Sequence, residues 1–260
     1  MQDKLDVDLI EAKTPSKVVV YASTASTNDI AWRYATRDKY DGLAVLAETQ
    51  TAGRGRTGNK WLSDTHQSIL CSLLLLHCPC QTEIVTLAAP IAVVETLKKF
   101  SVANPKIKWP NDILVNNKKI AGILIESRPC SSHNHYVIGI GINCHQSPEF
   151  FDSLQLAMPA TSIDIETGRF VDRNALAAEL INSLKQWIHT ASTNPELIVN
   201  TWQHLSSQLN QRVSLKYKDQ TFTGNCIGID PLAGLILQLD TGTVRMFNAA
   251  HTTIIKQQQY

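Results

Sequence analysis

Lys106-Ile-Lys-Trp-Pro-Asn-Asp-Ile-Leu-Val-Asn-Asn-Lys-Lys-Ile-Ala-Gly-Ile-Leu-Ile-Glu126 reads as an extended run, a break and a hairpin. Lys106 to Trp109 is extended, and Pro110 stops it because proline brings no N–H to a ladder. Ile113 to Val115 and Lys119 to Glu126 flank Asn116-Asn117, and asparagine tolerates the positive φ that a tight hairpin turn requires. Outward from this stretch the chain alternates. Strands are predicted at Val18–Tyr21, Leu43–Ala47, Ser68–Leu76 and Tyr136–Ile142. Thr82 to Phe100 carries Ile84, Leu87, Ala88, Ile91, Val94 and Leu97 at helix period. A shorter helical pattern through Ile30, Ala31, Tyr34 and Ala35 follows the hydroxyl and carboxamide cluster of Ser23 to Asp29. Asp172 to Ile188 puts Leu176, Leu180, Ile181, Leu184 and Trp187 on one face, with Asp172 as cap. Asn194-Pro195 then starts the next helix.

From Gln211 onward the texture changes. Short strands at Arg212–Tyr217, Gln220–Ile229, Gly234–Leu239, Val244–Phe247 and Thr252–Ile255 are separated by turns at Asp219, Asp230-Pro231 and Asp240-Thr241-Gly242. Such spacing predicts a small β-barrel. The expected domains are therefore 1–206 and 207–260, with the boundary near Ser206–Gln208.

The 260 residues balance 24 Lys+Arg against 23 Asp+Glu, so no basic footprint points to nucleic acid. A chain that is 43% hydrophobic and 18% charged is an ordinary globular composition. The longest apolar run, Ile69 to Leu76, is far short of the ~20 residues that span a bilayer. Charges in the first residues leave no secretory h-region. Without that signal, six spread cysteines predict reduced thiols in a cytoplasmic protein. His77-Cys78-Pro79-Cys80 lacks a second ligand pair and reads as buried thiols beside a loop, with no metal expected.

Gly53-Arg54-Gly55-Arg56-Thr57-Gly58 matches G-x-G-x-x-G, yet no helical period and no acidic strand end follow it, so the dinucleotide fingerprint fails. A phosphate-binding P-loop fails too, because Asn59 stands where the lysine belongs. What remains is a flexible loop whose N–H groups and two guanidinium forks suit carboxylate or phosphate, although a basic surface turn has the same composition. Lys108-Trp109-Pro110-Asn111-Asp112 sets a lysine, an amide and a carboxylate at strand ends. Lys119 stands at the mouth of an apolar strand, and small residues at Ala121 and Gly122 permit close approach.

These segments occur in order with Ser26-Thr27-Asn28, Gln50, Glu126 and Gly139-x-Gly141-Ile142-Asn143. Together they resemble the biotin–protein ligases, from about Val18 to the C-terminus. The resemblance implies a mixed-sheet α/β catalytic domain similar to class II aminoacyl-tRNA synthetases, followed by an SH3-like domain. It implies two steps: biotin and ATP give biotinyl-5′-AMP, and a lysine of the biotin carboxyl carrier protein of acetyl-CoA carboxylase then takes the biotinyl group. It further implies that Ser26, Thr27, Asn28, Gln50, Gly53 and Gly122 surround biotin, and that Arg54-Gly55-Arg56 closes over biotin and adenylate. Lys119 would meet the carboxylate and α-phosphate, Trp61 the adenine, and Asn111 and Asn143 the nucleotide side. Asp112 would orient the incoming amine, with Mg²⁺ on the phosphates. Only about 17 residues precede the first strand, so no DNA-binding segment is expected unless the N-terminus was trimmed; a monomer or homodimer is expected. A lipoate–protein ligase of the same fold and a non-catalytic biotin or adenylate sensor are the alternatives.

Overall fold

The computed structural model describes residues 4–130 and 133–258; the outer ends of the two expected domains, 1–3 and 259–260, lie outside the described residues. The strands of the first sheet are β1 (Val18–Tyr21), β2 (Ala44–Ala47), β3 (Ser68–Cys78), β4 (Lys106–Lys108), β5 (Asp112–Val115), β6 (Lys118–Cys130) and β7 (His133–Asn143). Their order is β1-β2-β3-β7-β6-β5-β4. Only β1 and β2 run parallel, and every other neighbour is antiparallel, so the sheet is mixed. The β5–β6 hairpin turns on Asn116 at φ 49° and Asn117 at φ 63°, the left-handed pair that the sequence predicted.

The sheet is covered on both faces because its central strands alternate between two apolar clusters. Ala44, Leu46, Ile69, Cys71 and Leu73 face the larger core, which also buries α3 (Thr82–Lys99), α6 (Arg173–Thr193) and α7 (Pro195–Leu205). Val45, Leu74, Leu76 and Val137 face the other side, against Ile30, Ala31 and Trp32 of α2 (Thr27–Tyr34). Asp172 caps α6 by accepting from the N–H groups of Asn174 and Ala175, and Asn194 caps α7 ahead of Pro195. Three five-residue helices were not anticipated: α1 (Val7–Glu11), α4 (Pro148–Asp152) and α5 (Ile163–Thr167). One and a half turns give too few positions for a period, and side-chain caps from Asp6, Ser147 and Ser162 hold them instead.

The C-terminal strands β8 (Arg212–Tyr217), β9 (Gln220–Asp230), β10 (Gly234–Leu239), β11 (Val244–Phe247) and β12 (Thr252–Gln258) form one antiparallel sheet in the order β11-β10-β9-β8-β12. This fits an SH3-like domain. Among the described residues its outer strands β11 and β12 do not pair with each other. Buried Gln208 ties the two sheets by accepting from the Trp109 N–H at 2.9 Å. No helix among the described residues is long and apolar enough to cross a membrane.

Candidate active site

A cavity of about 130 Å³ opens between the start of α2, the glycine loop and the middle of β6 and β7. Its floor is a strip of sheet without side chains. Gly122 on β6 stands directly opposite Gly141 on β7, and Gly139 lies two residues along on the same face. A Cβ on Gly141 would sit 2.3 Å from the Trp61 ring, and one on Gly139 would sit 2.3 Å from the Asn28 Oδ1. The strip is bare because Trp61 and Asn28 lie on it. Both carry a buried donor, Trp61 Nε1 and Asn28 Nδ2, that has no hydrogen-bond partner among the described residues. Such groups are costly unless something completes them. Gly141→Ala should push the indole off the strip and cost about 1–3 kcal/mol by overpacking. Comparing its tryptophan emission with that of Gly141→Ala/Trp61→Phe checks this; an unshifted Trp61 contribution would count against the contact.

One wall is a hydrogen-bonded rim. Ser26 stands at the N-cap of α2 but makes no cap bond there. Gln50 caps the helix instead: its Oε1 accepts from the Thr27 N–H at 2.8 Å and from the Thr27 hydroxyl at 3.0 Å. Ser72, from the middle of β3, places its hydroxyl 2.7 Å from Thr27 Oγ1 and 2.6 Å from Asn28 Oδ1. The rim is therefore fixed before any ligand arrives.

The opposite wall carries the charge. Lys119 Nζ lies 2.5 Å from Asp112 Oδ1 and 5.7 Å from the centre of the Trp61 ring. The β5–β6 register shifts between Ile113 and Leu114, and such a bulge re-aims the side chains beside it. The Lys119 main chain is held through both its polar groups by the 159–161 segment, donating to Pro159 O at 2.8 Å and accepting from the Thr161 N–H at 2.9 Å. Burial pulls the pKa of Lys108 down, Asp112 opposing and Lys119 assisting. Burial likewise lowers that of Arg56, again against Asp112. Arg56 donates to Ala249 O at 2.7 Å, reaching across to the C-terminal sheet. Arg54 forks onto both oxygens of Asp29 at 2.8 Å and reaches Glu126 Oε1 at 3.0 Å. That guanidinium holds the Asp29 carboxyl below the usual carboxylate range.

Of the residues singled out in the sequence, Ser26, Thr27, Asn28, Gln50, Arg54, Gly55, Arg56, Trp61, Asn111, Asp112, Lys119 and Gly122 all line this cavity. Gly53 and Asn143 do not. Gly53 is a backbone crossing, its carbonyl accepting from the Trp61 N–H at 3.0 Å, with no room for a Cβ beside Trp61 O at 2.8 Å. Asn143 is buried, and its amide donates to Thr161 O at 2.9 Å and Lys119 O at 3.4 Å, bracing the backbone that carries the lysine. Sequence reasoning missed Asn59 and Lys60 as lining residues, the floor role of Gly139 and Gly141, and the rim role of Ser72. Their signals were a strand with glycine at alternate positions and one hydroxyl inside an apolar run. No helix follows the glycine loop; Arg56–Gly58 is a single 3-10 turn with Thr57 at φ 52°, so the dinucleotide geometry is excluded. A second, more apolar cleft of about 430 Å³ adjoins at Gly55, Arg56, Asn111, Ile123 and Leu124 and continues between Pro110 and Leu232 in the turn from β9 to β10.

The model of the biotin/lipoate A/B protein ligase family matches residues 20–143, and that of the biotin protein ligase C-terminal domain matches 209–251. The biotin–[acetyl-CoA-carboxylase] ligase of Mycobacterium tuberculosis is 33% identical over 235 residues, covering 86% of this chain and 84% of that protein. The chain belongs to the biotin protein ligase family. Another relative in it, the bifunctional ligase/repressor BirA of Bacillus subtilis, is 31% identical over 229 residues, covering 86% of this chain and 70% of that protein. The fold agrees with the family: the biotin protein ligase from Aquifex aeolicus in complex with biotin and ATP superposes with a TM-score of 0.77 at 23% identity, covering 92% of this chain and 98% of that one.

Proposed function

We propose that this chain is an ATP-dependent biotin–protein ligase that biotinylates a lysine of the biotin carboxyl carrier protein of acetyl-CoA carboxylase. One observation carries the reading: Lys119, Asp112 and Arg56 converge with the unpartnered donors of Asn28 and Trp61 on one cavity. In the first step a biotin carboxylate oxygen attacks the α-phosphorus of ATP and diphosphate leaves. Two anions meet, so fixed cations at the meeting point lower the barrier. Lys119 is the group suited to that point, since its backbone is clamped and its ammonium is half-enclosed. In the second step the carrier amine attacks the acyl carbon, AMP leaves, and the amine gives up a proton. Asp112 is the carboxylate suited to orient that amine and accept from it.

The rim of Ser26, Thr27, Asn28 and Gln50 offers the donors and acceptors that a ureido ring needs, and the apolar cleft suits a valeryl chain and thiophane. Trp61 is placed to face the adenine. Mg²⁺ fits as the ion that accompanies ATP, because Asp112 is the carboxylate among the lining residues and phosphates supply most of that ion's remaining oxygens. When bound it neutralises phosphate charge. We assign the boundary between catalytic and C-terminal domains to 206–207, in the interval between α7 and β8. The reading assigns the chain to the cytoplasm, where ATP is at hand and its six free cysteines stay reduced.

The test is carrier biotinylation with ATP, Mg²⁺ and labelled biotin, run beside labelled lipoate. Transfer of lipoate in place of biotin would overturn the reading, and tight biotin binding without transfer would make the chain a sensor. Arg56→Gly supplies a second prediction. Biotinyl-5′-AMP is an anhydride that water or stray amines consume, so the site must retain it. Loss of the Arg56 guanidinium should release it faster than it slows its formation. A bystander protein mixed with the variant, ATP and biotin should therefore become biotinylated above the wild-type level. Bystander labelling unchanged while adenylate still forms would remove Arg56 from that role.

A further inference from the structure

At the far end of β3, five residues along β3 and four along β7 from the Ser72–Gly139 pair and hence about 13–17 Å from the cavity floor, a different chemistry gathers. His77 from the end of β3, Cys130 from the end of β6 and His135 from β7 each bring one ligand atom within 4.8 Å of the others. The register explains the meeting. His135 pairs with Arg128 across the hairpin, and Cys130 lies two residues beyond Arg128, so both point to one face. On β3 the ladder shifts between Leu75 and Cys78, and His77, at φ 49°, turns out of the strand toward β7. The two imidazoles meet edge to face at 4.7 Å. Behind them Asp38 Oδ1 lies 3.0 Å from His77 Nε2, so Nδ1 is the ring nitrogen of that residue that Asp38 does not engage. A carboxylate behind one ring nitrogen is how a metal-bound histidine is oriented. Cys130 is also the least buried of the six thiols.

We propose that His77, Cys130 and His135 form a binding site for a borderline-soft divalent d-block cation, Zn²⁺ by its chemistry, with Asp38 orienting His77. Two imidazoles and a thiolate are the N/S donors that such an ion selects, and three protein ligands leave a fourth position for water. Metal–ligand lengths of about 2.0–2.3 Å in a tetrahedron set the ligand atoms ~3.5 Å apart, so the cluster must close by roughly 1 Å. That motion is available to half-exposed side chains. One contact opposes it: the His77 N–H donates to His135 Nδ1 at 3.0 Å, a bond that is given up when His135 takes the metal. The sequence alone showed one side of the cluster, His77, and the sheet brings the other two from more than fifty residues away.

The untagged full chain titrated with Co²⁺ tests the assignment, because a thiolate ligand gives a sulfur-to-cobalt charge-transfer band in the near ultraviolet. One equivalent should bind with that band, and Zn²⁺ should displace it. Cys130→Ser should remove the band and Cys226→Ser should keep it. His77→Ala and His135→Ala should each weaken Zn²⁺ binding tenfold or more. In the unaltered chain Zn²⁺ should slow iodoacetamide alkylation of Cys130, mapped by mass spectrometry. No band, a band that survives Cys130→Ser, a band lost through Cys78→Ser instead, or unprotected Cys130 would each overturn the proposal.

Discussion

Replacing Lys119 by Ala lowers biotinyl-adenylate synthesis by about 10²-fold or more. A fixed charge aimed at a developing anion is typically worth ~2.7–4 kcal/mol of barrier. Lys119 has the features that make such a charge effective: backbone N–H and carbonyl both bonded to the 159–161 segment, a side chain lying against Asp112 and Trp61, and Asn143 bracing its carbonyl. The variant also leaves Asp112 without its cation. Lys119→Ala/Asp112→Asn separates the two effects, since coupled neighbours depart from additivity. ATP–diphosphate exchange dependent on biotin is the measurement. Near-normal exchange by Lys119→Ala would refute the role.

Arg173→Met destabilises the fold by about 3–5 kcal/mol, the range for breaking a buried ion pair from one side. Arg173 is fully buried and donates to Glu48 Oε2 at 2.8 Å and to Ser68 O at 3.0 Å. Glu48, 2% exposed, also faces His66 Nδ1 at 3.0 Å and accepts from the Leu5 N–H at 2.6 Å. Removing the guanidinium leaves a carboxylate buried with fewer partners. At roughly 2–4 °C per kcal/mol the melting temperature falls by about 6–20 °C. The double variant Glu48→Leu/Arg173→Met recovers part of that loss, because neither charge is then stranded. Equal melting of wild type and Arg173→Met would show that the network does not hold α6 to β3.

Local chemistry was legible in the sequence wherever one residue decides the backbone. Pro195 and Asn194 marked a helix start, Asn116-Asn117 a left-handed turn, and Asp172 a cap. Pairing partners were not legible, because they join distant segments: nothing in β7 announces that it inserts between β3 and β6. The candidate site divides in the same way. Residues with distinctive chemistry, Lys119, Asp112 and the two arginines, stood out by type. Contacts that depend on the fold did not: Gln50 capping α2 spans 23 residues, and the Arg54–Glu126 pair spans 72. Gly139 and Gly141 were visible as glycines, but a bare floor exists only once Trp61 and Asn28 lie on it.

The indole resting on the Gly122–Gly141 strip has a calorimetric consequence. A ligand that takes the strip exchanges its own apolar surface for that of Trp61, so water sees little net change. Heat capacity on binding registers only the difference. An aromatic side chain of this kind buries about 150–250 Å². At ~0.45 cal/mol/K per Å² its displacement offsets the binding heat-capacity change by up to about 0.1 kcal/mol/K. Titration calorimetry across temperature should thus give a shallow slope for the unaltered chain and a steeper negative one for Trp61→Ala. Equal slopes would mean that the ring stays in place when the cavity fills.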